Sequence, residues 1–146
     1  MIHLKVKMVD CEYDEEHGVA IVTLQHQNKL YVGAAKVHPD DKDVASEMAG
    51  CTIAELRARQ LIYKDRIYVK RIERDSLMRL KEDLFVNVLD KMNTEVLHRI
   101  NIAINNADKE IGEYYDEIRF IDNWIPAYVE KRKNIKARKD YMKMSK

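Results

Sequence analysis

The chain has 146 residues, 46% hydrophobic and 35% charged, with four Gly, two Pro and a formal net charge of +1. That length suits one ordinary domain with a real core, and the scarcity of Gly and Pro suits a helix-rich fold. No apolar run approaches the roughly 18 residues that cross a bilayer, and the opening MIHLKVKMVD lacks the pattern of a secretory leader, so a cytoplasmic protein is expected.

Charge is unevenly placed. Residues 131–146 carry eight Lys/Arg against the single Asp140, which leaves about −6 for everything before them.

Ile2, Leu4, Val6 and Met8 alternate with Lys5 and Lys7 and predict a first strand. CEYDEEHG reads as a polar tip with Gly18 supplying the turn, and Val19–Leu24 as a buried central strand. Gln27-Asn28 makes a tight second turn before a third strand over Lys29–Val37. His38-Pro39-Asp40-Asp41 ends that strand and caps a short helix over about 42–49, stopped by Gly50 in the left-handed region.

Thr52 and Glu55 form a capping box for a long helix running to about Lys91. Its apolar stripe, from Ala58 and Leu61 through Ile72 and Leu80 to Met92, is wider than a coiled-coil seam. After a break at Asn93-Thr94, ten apolar positions step by three and four without a miss: Leu97, Ile100, Ile104, Ala107, Ile111, Tyr114, Ile118, Ile121, Ile125 and Tyr128. Such a seam either pairs with copies of the chain, the reading favoured here, or packs on its intramolecular partner. Gly112 within it implies a close helix crossing, and Pro126 should end or kink the helix near Asp122–Trp124 and start a short terminal helix.

The expected fold is α+β in a single domain. An N-terminal three- to four-stranded antiparallel sheet with a short helix (1–50) precedes a long antiparallel helical hairpin (52–130) and a basic tail (131–146).

No phosphate loop, nucleophile elbow, HExxH or EF-hand pattern is present, and the five His are scattered. Cys11 and Cys51 lie 40 residues apart and read as two buried thiols in a reducing compartment. Asp40, Asp41 and Asp43 read as helix capping, and Asp14-Glu15-Glu16 as a solvated turn. The chain is therefore expected to be no enzyme, with neither cofactor nor metal.

Binding is the remaining large class. Arg57 and Arg59 begin the first long helix, while Arg119 and Asp122-Asn123-Trp124 lie near the end of the second, so a hairpin brings these regions together. Paired guanidiniums grip phosphates, Phe85, Tyr115 or Trp124 can stack a base, and Asp122 can accept from ribose hydroxyls. Arg57, Phe85, Asn93, Arg119 and Asp122 are the candidate ligand residues. The plainer reading of each arginine is a surface ion pair, and of Trp124 a core residue.

The stretches Gly18–Leu24, Tyr31–Asp41 and Gly50–Ala58 (GCTIAELRA) resemble the phage Thoeris anti-defence 1 family. They comprise 27 residues within positions 18–58, and the helical half matches in layout only. The resemblance implies a phage protein of the infected bacterial host's cytoplasm, assembled as a dimer or hexamer. It implies a sponge that sequesters, without cleaving, cyclic ADP-ribose isomers made by TIR-domain immune proteins, and in some members cyclic oligonucleotides. Of the candidate residues, Arg57 alone lies inside the matching stretches.

Two other classes stay open. One is an assembly or nucleic-acid-binding protein that uses the basic tail, with salt-dependent affinity. The other is an adaptor that docks a host protein on its helical hairpin. The plainer reading of the tail, whichever class holds, is a disordered solubilising terminus.

Overall fold

A computed structural model describes residues 4–36, 47–87 and 94–144. The elements are β1 (Lys7–Asp14), β2 (Val19–His26), β3 (Lys29–Lys36), α1 (Glu47–Asn87) and α2 (Thr94–Met144). The fold is α+β: a three-stranded antiparallel sheet in the order β1-β2-β3, followed by two long helices packed as a hairpin.

The first strand starts later than the Ile2–Met8 alternation implies. It takes in the polar segment expected at the tip, with Asp14 opposite Val19 and Glu12 opposite Ile21. An antiparallel sheet can leave one face in water, so the exposed Asp10, Glu12 and Asp14 sit in the strand at little desolvation cost. Val9 is the extra residue of a bulge between Met8 and Asp10. Gly18, with φ 64°, closes the first turn. Gln27, with φ 57°, opens the two-residue turn expected at Gln27-Asn28.

The chain divides into two compact units. One holds the sheet, α1 as far as Ile62, and α2 from Ile118. Its core is Ala20, Val22 and Leu24 of β2, Ala35 of β3, and Ala54, Ala58 and Ile62 of α1. Leu4 and Val6 pack against this core from outside any strand. Small residues dominate because the backbones nearly touch: a Cβ on Gly33 would lie 2.0 Å from the Ala54 carbonyl oxygen.

Three expectations about this region are corrected. Gly50 lies inside α1, not at a left-handed stop; a Cβ there would meet the Ala20 Cβ at 3.0 Å, so Gly50 serves close helix–sheet packing. Thr52 is interior to the same helix and donates from Oγ1 to the Met48 carbonyl at 2.7 Å, a back-bond where a cap was expected. The cysteines are not both buried, since Cys11 is exposed on the edge strand β1 and Cys51 is half-buried. The expected short helix over 42–49 falls largely on residues outside those described, as does Asn93 at the expected break.

The second unit is built from Tyr63–Glu117. Tyr63, Ile67, Ile100, Ala107, Ile111 and Tyr114 are buried in it, with the Tyr63 and Tyr114 rings 5.9 Å apart. Polar links join the helices alongside: Lys70 to Glu110 at 3.3 Å, Arg74 to Asp108 at 3.0 Å, and Arg71 to the Tyr115 hydroxyl. Burial opposes the Lys70 charge, but hydrogen bonds to Glu73 and Glu110 outweigh it and raise its pKa.

All ten seam positions are buried or half-buried within one chain. Gly112 is exposed and a Cβ there would meet no atom of the described residues within 4 Å, so no close crossing among them accounts for it. α2 continues as helix past Pro126 and through the basic segment to Met144, so it does not end at Asp122–Trp124 and no separate terminal helix starts at Pro126; the basic segment, for which a disordered terminus was the plainer expectation, is helical. Proline removes one helical hydrogen bond, yet Ile121 is buried and Ile125 and Tyr128 are half-buried around it, and that packing holds the helix together.

Candidate functional site

The Tyr63–Glu117 unit contains a groove of about 460 Å³ lined by Met78, Lys81, Glu82 and Phe85 of α1 and Asn101, Ile104 and Asn105 of α2. Steps of three and four put each set on one helical face. Met78, Phe85 and Ile104 supply apolar surface, Lys81 a cation, and Asn101 and Asn105 two amides that can both donate and accept. Phe85 is 55% exposed, so about half of this aromatic residue is left to water.

Arg57, Arg119 and Asp122 belong to the sheet-bearing unit and Phe85 to the Tyr63–Glu117 unit, while Asn93 lies outside the described residues. Arg57 donates from Nη1 to the Ala34 carbonyl at 2.9 Å. Pairing of β2 and β3 across a two-residue turn aims alternate backbone groups of β3 outward, and Ala34 is at one of those positions. Arg57 thus covers part of the free sheet edge. Gln60, one turn on, donates from Nε2 to Asp122 Oδ1 at 2.7 Å and to the Ile118 carbonyl at 3.2 Å. The start of α1 therefore does meet this part of α2, but Asp122 already serves a partner. Arg119 is exposed and also engaged. Trp124 is half-buried and stacks on Tyr128 with centroids 4.6 Å apart, and the Arg132 guanidinium sits 5.8 Å from the Tyr128 ring.

Among the described residues, Asp14, Glu16 and His17 form one exposed group with metal-ligand spacing. Its chemistry is that of a self-satisfied turn. His17 Nδ1 lies 2.7 Å from Asp14 Oδ2 and the His17 N–H donates to Oδ1 at 3.2 Å, and these bonds hold the Asp14 carboxyl below its ordinary pKa.

Sequence reasoning reached Phe85 but missed Met78, Lys81, Asn101 and Asn105. The available signal was adjacency: Asn101 and Asn105 each follow a seam residue, Ile100 and Ile104, and so flank the buried stripe. No protein-family model matches the chain, and neither curated proteins nor solved structures give a match.

Proposed function

We propose that this chain is a non-enzymatic sponge that holds a cyclic nucleotide of the cyclic ADP-ribose class, as its resemblance to the Thoeris anti-defence 1 family implies. The observation that carries this reading is the groove with a half-exposed Phe85 beside Asn101, Asn105 and Lys81. A base stacked on Phe85 gains about 1–3 kcal/mol. The amides suit a base edge, and Lys81 suits a phosphate.

Those terms fall short of the roughly 12 kcal/mol of a nanomolar ligand, so contacts from a second copy are part of the proposal. The α2 seam is already buried within the chain, whereas Tyr68, Val69, Ile72 and Leu80 of α1 are exposed. This α1 face is the proposed surface for self-association into a dimer or hexamer.

The test is a melting-temperature and calorimetric screen of purified protein against cyclic ADP-ribose isomers and cyclic di- and trinucleotides. One ligand should raise the melting temperature by about 2–8 °C at a hundredfold its Kd, be recovered intact, and lose most of its affinity in Phe85→Ala. Recovery of a cleaved product, or no response across the panel, rejects the sponge.

The continuation of α2 as a helix through Lys131, Arg132, Lys133, Arg138 and Lys143 favours a second reading, binding to nucleic-acid phosphates. That reading requires retention of generic oligonucleotides with affinity that falls steeply in salt.

A further inference from the structure

Cys11 and Cys51 are far apart in sequence, yet the fold puts their sulfurs 2.7 Å apart, Cys11 Sγ donating to Cys51 Sγ. Cys11 lies on β1 and Cys51 in the second turn of the described part of α1, within the same compact unit. The close approach extends beyond the two thiols. A Cβ on Gly50 would lie 3.4 Å from the Tyr13 ring, so β1 and this part of α1 are held together by neighbouring residues as well. Both cysteines are free.

We propose that Cys11 and Cys51 are a reversible dithiol site, oxidised to an intrachain disulfide by a low-molecular-weight disulfide such as oxidised glutathione. Cys11 is exposed and takes the first step. Its thiol gives a proton to solvent, and the thiolate attacks one glutathione sulfur and expels the other glutathione as a thiolate that is then protonated. Cys51 next loses its proton, attacks Cys11 Sγ and expels the second glutathione. The protein loses two electrons and two protons, and one glutathione disulfide becomes two glutathione thiols.

Proximity drives the second step. A sulfur already in contact competes with glutathione in solution at a high effective concentration, so ring closure should exceed addition of a second glutathione by at least about a hundredfold. Burial, with a smaller contribution from the neighbouring Cys11 sulfur, pushes the Cys51 thiol up to about 11. Ring closure should therefore accelerate as pH rises from 7 to 9, since more of Cys51 becomes thiolate.

The bond would tie an edge strand to a helix. Among the described residues β1 pairs on one side only, with β2, and a covalent link to α1 would keep it from fraying. Its amides should exchange more slowly, and the melting temperature should rise by about 5–10 °C.

The experiment incubates the 146-residue chain in glutathione redox buffers, traps free thiols by alkylation, and maps peptides without reduction. Wild type should lose two hydrogens in intact mass, stay unlinked to other chains, give one peptide joining Cys11 to Cys51, and revert with dithiothreitol. Cys51→Ser should stop at one glutathione on Cys11, and Cys11→Ser should leave Cys51 mostly unmodified. Accumulation of glutathione adducts on wild type, or of disulfide-linked dimers in place of the intrachain link, overturns the proposal.

Discussion

Single residues carry the clearest contrasts in this molecule. Gly33 and Gly112 are the same residue with opposite constraints. At Gly33 the Ala54 carbonyl and Ala58 amide leave no room for a Cβ, whereas at Gly112 the space is open. Gly33→Ala should therefore destabilise by at least about 2 kcal/mol through overpacking. Gly112→Ala should stabilise by about 1 kcal/mol through helix propensity, and chemical denaturation of the two variants reads both signs. Asp14 offers a pH test. Hydrogen bonds to His17 lower its pKa in the folded state, so its stabilising contribution is present above the ordinary aspartate value and fades as pH falls through the lower folded value. Carboxyl titration by NMR should place Asp14 below a typical aspartate, and His17→Ala should move it back up. Arg57 shows how a functional guess can meet a structural role: it covers the Ala34 carbonyl at the sheet edge, so a ligand using this guanidinium must replace that bond.

Among the elements, the two long helices differ in how they use their apolar residues. α2 puts its periodic seam inside, with Ile111 only 7% exposed. α1 buries Ala54, Ala58, Ile62, Tyr63 and Ile67 and leaves Ile72 50% exposed along with Tyr68, Val69 and Leu80. Ile111→Asp would place an unpaired carboxylate in the core, and a loss of about 4–5 kcal/mol is expected, visible as loss of cooperative unfolding. Ile72→Glu should cost no more than about 0.5 kcal/mol in the monomer. If α1 is the self-association face, sedimentation should show Ile72→Glu shifted to the monomer with its helical content intact. A variant that keeps the wild-type assembly would exclude this face. Pro126 tests α2 itself: Pro126→Ala restores a donor inside a continuous helix and should stabilise by about 1–3 kcal/mol.

At the scale of the whole molecule, charge is segregated along the sequence, with a basic terminal stretch following a chain of net negative charge. Replacing Lys131, Arg138 and Lys143 by Gln should leave folding within about 0.5 kcal/mol, because these are exposed helix positions. In the sponge reading the same variant keeps nucleotide affinity. In the nucleic-acid reading it loses oligonucleotide retention and flattens the salt dependence. Gel retardation run beside calorimetry separates the two. Among the described residues, no helix is long and apolar enough to cross a membrane.

Period and turn chemistry made much of the architecture legible in the sequence. Alternation and β-rich runs located β2, β3 and the Gln27-Asn28 turn, and the unbroken three–four repeat located the buried face of α2. These signals are local, since each depends on residues within a few positions of one another. Cues at Gly50, Thr52 and Pro126 misled because their local preferences are worth only about 1–3 kcal/mol each, and packing along a long helix outweighs them. Phe85 was legible as an aromatic, but its groove was not, because Asn101 and Asn105 become neighbours only when two helices pair. The contact of Cys11 with Cys51 lies furthest from sequence reach. Forty residues of chain carry no record of which sulfur will meet which, and only the packing of α1 on the sheet decides it.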